Sequence, residues 1–218
     1  KLDNGEVWPI PIMLDVDEEF IATNSIDKGT EIALREKEGF LIGILTVSDI
    51  WTPDKKIEAE AIYKTTNTHH PGVNHLLNST KDVYIGGEIT GIQSPKHYDY
   101  SLLRHTPYEL KEQFEKLGWE KIVAFQTRNP MHRAHKEIAY RAATDVQANL
   151  LIHPVVGQTK PGDIDHFTRV RCYQKILKYY PEGTTMLSLL PLSMRMAGPR
   201  EALWHGLIRK NYGCTHIV

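Results

Sequence analysis

The residues best suited to chemistry form one polar segment that directly follows an apolar run ending at Phe125. The segment reads Gln126-Thr127-Arg128-Asn129-Pro130-Met131-His132-Arg133-Ala134-His135. The guanidinium of Arg128 presents a planar array of donors that suits oxyanions, and Gln126 can add an amide donor. A helix beginning at Pro130 would add free N–H groups and the positive end of its dipole. The segment is therefore predicted to bind an anion.

Two histidines near the start of this predicted helix, His132 and His135, are three residues apart. At that spacing they share one face of a helix and point back towards its N-terminal opening. Their imidazoles can then hold two oxygens of a phosphate chain. A zinc site would need a third ligand nearby, and since none is obvious we predict no protein metal site. The alternative is that Arg128 and the histidines only cap a solvated surface helix.

The anion-binding segment belongs to an alternation of predicted strands and helices in the second half of the chain. Strands are predicted at 121–125, 150–156, 185–190 and from 215, and helices at 107–118, 130–143, 165–180 and 198–211. This alternation is typical of a parallel sheet with crossover helices. In such sheets ligands bind beyond the carboxyl ends of the strands, where loops enter helices, and residues 126–135 follow the first of these strands.

The first half of the chain shows short β-like runs bounded by Gly, Asp or Pro. The runs are 8–14, 30–35, 40–47 and 82–89, with loop or short-helix stretches at 49–63 and 72–78. This pattern predicts a compact β-rich domain. We therefore expect an α/β protein with two domains, a β-rich domain over residues 1–98 and a parallel-sheet domain over residues 99–218.

The composition limits the classes of partner. The chain has 26 Lys and Arg against 27 Asp and Glu, so no overall charge attracts nucleic acid or an anionic membrane, and neither is predicted as a partner. Apolar runs are too short for a membrane span. Cys172 and Cys214 fit buried thiols in a reducing cytosol, which predicts a cytoplasmic protein. The chain opens at Lys1 without an initiator Met and stops within an apolar run, and both ends are expected to be cut.

The segment 126–135 resembles the signature of the ATP sulfurylase family, whose His-x-x-His is shared more loosely by other nucleotidyltransferases. Other family-like stretches are His70-Pro71-Gly72-Val73, His97-Tyr98-Asp99-Tyr100, Lys160-Pro161-Gly162-Asp163-Ile164 and RMAGPREALWH at 195–205. The resemblance implies an N-terminally truncated PUA-like domain and a Rossmann-like nucleotidyltransferase domain. The second domain would be truncated before the family's Gly-Arg-Asp-His-Ala-Gly loop, which binds ATP and completes the sulfate pocket.

The resemblance also implies roles for individual positions. The implied sulfate-binding residues are Gln126 and Arg128. The implied ATP-binding residues are Gln126, Thr127, Arg128, Asn129, His132 and His135, and all of these except Gln126 are implied catalytic positions. Residues 195–198 would form a mobile loop near the phosphates. Arg200 would either pair with an acid or support the structure.

The implied reaction is attack by a sulfate oxygen on the α-phosphorus of ATP, which gives adenosine 5′-phosphosulfate and pyrophosphate. Because sulfate is already ionised, the protein supplies no base and instead stabilises the charge that develops on pyrophosphate. Mg²⁺ would accompany the ATP phosphates without a dedicated carboxylate cage. Members of the family are commonly homo-oligomers, and we expect the same here.

Two other functions stay open at this point. Another His-x-x-His adenylyltransferase would exchange pyrophosphate with ATP in the absence of sulfate. A PUA-like domain can also bind RNA, although the near-neutral charge argues against it.

Several polar residues outside the segment are weaker candidates. Residues Lys160, Asp163, Asp165 and His166 follow a strand and either face the site or, in the favoured interpretation, form a loop in which Asp165 caps the next helix. Packing or surface roles are expected for His69, His70 and His75.

Overall fold

The computed structural model describes residue 2, residues 4–157 and residues 162–218. These residues form two compact units. The first unit comprises Lys1–His97 and Met196–Arg200, and the second comprises Tyr98–Arg195 and Glu201–Val218. Met196–Arg200 thus groups with the first unit, whereas the domain division predicted from the sequence, at residue 98, places these residues in the second domain. That division stays a prediction of the domain boundary.

The first unit, over its described residues, contains an antiparallel sheet and short helices. Its strands are β1 (Leu14–Val16), β2 (Glu31–Arg35), β3 (Leu41–Trp51) and β4 (Val83–Gly91), in the order β1-β4-β3-β2, and its helices are α1 (Glu18–Thr23), α2 (Lys55–Tyr63) and α3 (Pro71–Asn78). The predicted strand at 8–14 is wrong except at Leu14. Pro9 and Pro11 lack the N–H groups that a sheet ladder requires.

The second unit contains a parallel sheet, as predicted. Its described strands are β5 (Ile122–Phe125), β6 (Asn149–Ile152), β7 (Thr185–Leu187) and β8 (His216–Ile217), in the order β7-β6-β5-β8. Its helices are α4 (Pro107–Lys116), α5 (Arg133–Asp145), α6 (His166–Ile176) and the greater part of α7 (Pro199–Asn211). Short 3-10 turns lie at Ser101–Leu103 and Leu177–Tyr179.

Helices cover both faces of this sheet, because its strands are apolar on both sides. One core contains Val123 and Phe125 of β5 together with Val170, Tyr173 and Ile176 of α6. The opposite core is built from the alternate strand residues and from α4, and its members include Ile122, Ala124, Leu110, Phe114 and Cys214. All four residues of β5 are buried, so the loop that follows β5 starts from a rigid strand.

The helix caps were partly predictable. Thr106 and Glu109 form a capping box at the start of α4. As predicted, Asp165 caps α6, and its Oδ1 accepts from the Thr168 N–H at 2.9 Å. The predicted start of α5 at Pro130 is wrong, because the helix begins at Arg133 with His132 as its N-cap. Met131 is buried, and packing of that side chain fixes the preceding residues outside the helix.

The loops after β6 and β7 run side by side at the carboxyl end of the sheet. Val155 pairs with Leu190 in a parallel bridge, and Gly157 N–H donates to Leu192 O at 3.1 Å. A Cβ at Gly157 would overlap the Leu192 carbonyl and lie 2.8 Å from Ser193 N. Only glycine permits this close approach.

The two thiols differ in burial. Cys214 is buried, and burial raises its pKa to about 12. Cys172 is only partly buried, so the prediction of two buried thiols is wrong for this residue. Among the helices of the described residues, none combines the length and the apolar character needed to cross a membrane.

Candidate functional site

The segment 126–135, predicted to bind an anion, lies at the carboxyl end of β5, where the main chain is held on both sides. Gln126 N–H donates to Val218 O at 2.9 Å, and Thr127 O accepts from Val155 N–H at 3.0 Å. Both bonds continue the ladder of the parallel sheet beyond β5. Among the described residues, the side-chain amide of Gln126 makes only a weak contact, at 3.7 Å, with Met194 Sδ, so the amide is available to a ligand.

Thr127 and Asn129 form a tight turn around Arg128. The Thr127 hydroxyl accepts from Asn129 N–H and donates to Asn129 O, both at 3.1 Å. The Thr127 side chain is 6% exposed. In this structure the hydroxyl thus organises the turn that presents Arg128.

Two side chains of α6, Arg169 and Tyr173, hold the same turn from behind. Arg169 Nη1 donates to Arg128 O at 2.8 Å and to Val155 O at 3.1 Å, and the Tyr173 hydroxyl donates to Asn129 O at 2.9 Å. Burial raises the pKa of Tyr173 to about 12, so the hydroxyl stays a donor at neutral pH. A buried guanidinium that donates to two carbonyl groups also places positive charge behind the loop.

Sequence reasoning missed these two residues. A signal was present, because Arg169 and Tyr173 are four apart and share a helix face with the apolar residues Val170 and Ile176. A charged residue on an apolar helix face is unusual and requires hydrogen-bond partners. The partners themselves lie about forty residues earlier in the chain, and no local pattern identifies them.

Arg128 forms an ion pair with Asp163, in the loop before α6. The structure therefore brings Asp163 to the site, which is the less favoured of the two interpretations for this residue. Asp165 caps α6, and His166 Nε2 contacts Asp99 Oδ2 at 3.0 Å. Burial alone would raise the pKa of Asp99, but hydrogen bonds from Arg104 and His166 outweigh burial and lower it. Lys160 lies outside the described residues.

His132 and His135 cap the first turn of α5 reciprocally. His132 Nδ1 accepts from Ala134 N–H at 3.3 Å, and His135 Nδ1 accepts from His132 N–H at 3.5 Å. The two rings stack with their centroids 3.9 Å apart. Burial, followed by the charge of His132, lowers the pKa of His135 below its ordinary value, which favours a neutral ring at pH 7.

This capping defines what the histidines can offer to a ligand. A neutral imidazole whose Nδ1 accepts a hydrogen bond carries its proton on Nε2. Within the described part of the chain, neither Nε2 atom has a hydrogen-bond partner. Two N–H donors are thus available at the N-terminus of a helix, where the dipole also favours anions.

A cavity of about 900 Å³ opens beside α5 and α6. It is lined by Met131, His132, Arg133, Ala134, Lys136, Glu137, Cys172, Lys175, Ile176 and Tyr179. Of the predicted site residues, only His132 lines it, so the cavity does not coincide with the turn around Arg128. In the part of the chain that the structure describes, no three His, Cys, Asp or Glu side chains converge to hold a metal ion.

A further histidine, His153, is buried directly after β6. Its ring lies edge-on to Tyr212 with the centroids 4.8 Å apart, and its carbonyl oxygen accepts from Arg209 Nη2 at 2.7 Å. Neither ring nitrogen has a hydrogen-bond partner among the described residues. Burial, assisted by the charge of Arg209, lowers the pKa of His153 well below its ordinary value of 6.5.

The fold and the loop define a parallel-sheet α/β unit with guanidinium and imidazole donors at the carboxyl end of its sheet. Residues 101–218 match the family model described as ATP-sulfurylase, and residues 1–94 match the PUA-like domain. The chain belongs to the ATP-sulfurylase family. The resemblance drawn from the motifs is thereby confirmed, as is the PUA-like first domain.

Two curated relatives and one solved structure show how far the similarity extends. A sulfate adenylyltransferase of Saccharomyces cerevisiae is 54% identical over 218 residues, which cover 100% of this chain and 42% of the relative. That of Mycosarcoma maydis is 52% identical over 219 residues, with 100% and 38% covered. The hexameric APS kinase from Thiobacillus denitrificans is 34% identical with a TM-score of 0.78, and the match covers 100% of this chain and 38% of that one. The chain thus spans about two-fifths of the length of these relatives.

Proposed function

We propose that the protein transfers the adenylyl group of ATP to sulfate, forming adenosine 5′-phosphosulfate and releasing pyrophosphate. The proposal is carried by the loop 126–135, which presents a guanidinium and two imidazole N–H donors at a helix N-terminus. It is supported by the sulfate adenylyltransferases that match the whole chain. A loop of cations and N–H donors suits a reaction between two anions that needs no base.

Each predicted site residue has a part in this proposal. Arg128 and Gln126 hold sulfate, and His132 and His135 donate from Nε2 to oxygens of the ATP phosphates. The charge that develops on the leaving pyrophosphate is stabilised by the same N–H donors and by the helix dipole.

The remaining two predicted positions, Thr127 and Asn129, act through the main chain. Their mutual hydrogen bonds shape the turn that aims Arg128 at its anion and complete the lining of the ATP site. Arg200 has a structural role, because its Nη1 donates to Pro9 O at 3.1 Å within the first unit.

Magnesium enters as part of the substrate, MgATP. Mg²⁺ prefers carboxylate oxygens and water in octahedral geometry. The described carboxylate at the loop, Asp163, is paired with Arg128, so the described residues do not form a magnesium cage and the ion is held by phosphate oxygens and water. We further propose a cytoplasmic homo-oligomer without nucleic-acid or membrane partners. The hexameric state of the structural relative supports the oligomer.

The test is sulfate-dependent exchange of labelled pyrophosphate into ATP, measured on the full-length protein. Misplacement of a bound reactant can cost about 100-fold in rate, and we expect a loss of that size in Arg128→Ala, because its guanidinium holds sulfate. The matched control is Arg141→Ala, because Arg141 lies on α5 with its side chain 72% exposed and pairs only with Glu137 among the described residues. Exchange without sulfate would contradict the proposal and identify another adenylyltransferase.

A further inference from the structure

We propose that Asp163 is a positioning residue of the sulfate subsite, which holds the Arg128 guanidinium by one nitrogen so that its opposite edge faces the anion. The inference rests on the proposed function of the loop. It assigns a role in sulfate binding to a residue outside the segment 126–135.

The contact between the two side chains is the first observation. Arg128 Nη1 donates to Asp163 Oδ2, and the side chains are 24% and 13% exposed, respectively. Among the described residues, Asp163 is the only hydrogen-bond partner of this guanidinium. Because a guanidinium carries N–H donors on three nitrogens, Nε and Nη2 stay available for a bidentate contact with an oxyanion.

The second observation is that the main chain of Arg128 is already fixed. Its carbonyl accepts from Arg169 at 2.8 Å, and the Thr127 hydroxyl accepts from Asn129 N–H at 3.1 Å. The freedom that is left to Arg128 therefore resides in its side-chain torsions. Ordering a free arginine side chain costs rotamer entropy, and a fixed counter-ion removes part of that cost before the anion binds.

The third observation is the position of Asp163 in the chain, next to α6. It lies two residues before Asp165, which caps α6 through a hydrogen bond from Thr168 N–H of 2.9 Å. The same helix supplies Arg169 and Tyr173, which hold the carbonyl groups of the turn. The side chain of Arg128 is thus held from the loop directly before α6, and its main chain from α6 itself, as a preorganised binding group requires.

A competing explanation makes the opposite prediction. If Asp163 merely occupied the guanidinium until sulfate displaced it, its removal would abolish a competitor and lower the KM for sulfate. If Asp163 positions the guanidinium, its removal raises the KM for sulfate. The sign of the change therefore separates the two explanations.

The experiment measures sulfate-dependent pyrophosphate exchange by the full-length protein. Sulfate is varied at saturating MgATP in one series, and MgATP is varied at saturating sulfate in the other. Loss of one charge-assisted hydrogen bond is expected to raise the KM for sulfate about ten-fold in Asp163→Ala, with the KM for ATP changed by less than about two-fold. Asp163→Asn keeps an acceptor oxygen and should recover most of the affinity. Asp145→Ala, at an exposed acid of α5, is the matched control and should match the wild type.

A double variant tests whether Asp163 acts through Arg128. In an Arg128→Ala background, Asp163→Ala should have no further effect on sulfate binding, because the group that it positions is absent. A further loss of the same size in the double variant would overturn the inference. An unchanged or lowered KM for sulfate in Asp163→Ala alone would also overturn it. Should the alanine variant fail to fold, Asp163→Ser, whose side chain is too short to reach Arg128, carries the same expectation. Failure of the proposed function is distinct, because the wild type itself would then show no dependence on sulfate.

Discussion

The N-termini of α3 and α5 are both capped by a histidine, yet the two histidines differ in their second ring nitrogen. His70 Nδ1 accepts from Gly72 N–H at 3.2 Å and from Val73 N–H at 3.4 Å, and its Nε2 lies 3.0 Å from Met196 O. His132 Nδ1 accepts from Ala134 N–H at 3.3 Å, whereas its Nε2 has no partner among the described residues. A capping histidine with both nitrogens bonded is structural, and one with a free N–H can bind a ligand.

The surroundings of the two rings also differ, because one ring is packed within its unit and the other is exposed. His70 is partly buried and packs against Tyr63 with ring centroids 4.9 Å apart, as part of the first unit. His132 is exposed and stacks on His135. The expected packing role for His70 is therefore confirmed, and the binding role of His132 stays a proposal that the comparison makes testable.

The largest effect is expected for His132→Asn. Asparagine is a good N-cap, so the helix end keeps its acceptor while the Nε2–H donor is lost. We expect kcat/KM for ATP in the exchange reaction to fall about 100-fold, as for other single donors to developing charge. The melting temperature should change by less than about 2 °C, since the cap is retained. A large fall in melting temperature with unchanged exchange would make His132 a cap and nothing more.

The next effect is expected for Tyr173→Phe, which tests whether the loop before α5 depends on support from α6. The change removes the donor to Asn129 O and should lower the free energy of unfolding by about 1 kcal/mol. Because the turn that presents Arg128 loosens, kcat/KM for sulfate should fall about ten-fold. Tyr180→Phe is the control, since the Tyr180 hydroxyl donates to Lys136 O at 3.4 Å, away from the turn. Equal activities of the two variants would contradict a supporting role for α6.

A third histidine, His153, extends the comparison, because it caps no helix and both its ring nitrogens lack described partners. Its folded-state pKa is lowered below 6.5, so below pH 6.5 the unfolded chain takes up a proton that the folded chain does not. The free energy of unfolding should then fall by up to about 1.4 kcal/mol per pH unit for this group. His153→Leu should flatten the stability curve between pH 6.5 and about 5, measured by urea denaturation. Parallel curves for the variant and the wild type would show that other groups cause the loss.

The smallest effect is expected for His70→Asn. The cap is retained and only the bond to Met196 O is lost, so the free energy of unfolding should fall by about 1 kcal/mol or less. Exchange activity should change by less than about two-fold, because the lost bond lies within the first unit. An activity loss equal to that of His132→Asn would remove the distinction between the two helix ends.

The parts of the fold that the sequence predicts are those with local signals. The buried runs of β5 and β6, the Thr106 capping box and the Asp165 cap each depend on residues within a few positions of one another. The start of α5 was missed, although Pro130 is a strong local signal. Met131 is buried in the same core as residues of β6 and α6, and burial among residues distant in the chain outweighs the local preference.

The candidate site shows the same limit. The loop 126–135 was recognisable from its residues, because its donors follow one strand and precede one helix. The contacts of Asp163, Arg169 and Tyr173 with that loop depend on how β6 and α6 pack beside it. Such contacts are set by the tertiary fold, and residue spacing alone does not reveal them.

The close approach at Gly157 has a consequence for how the gene can vary. A single-nucleotide change at the first or second position of a glycine codon introduces alanine, valine, serine, cysteine, arginine, tryptophan, aspartate or glutamate, or a stop, whereas a change at the third position keeps glycine. Every one of these amino acids carries a Cβ that would overlap the Leu192 carbonyl. No amino-acid replacement that a single nucleotide change can make at this codon preserves the packing of the two loops. Substitutions can therefore accumulate on the exposed face of α5, whereas codon 157 stays a glycine codon.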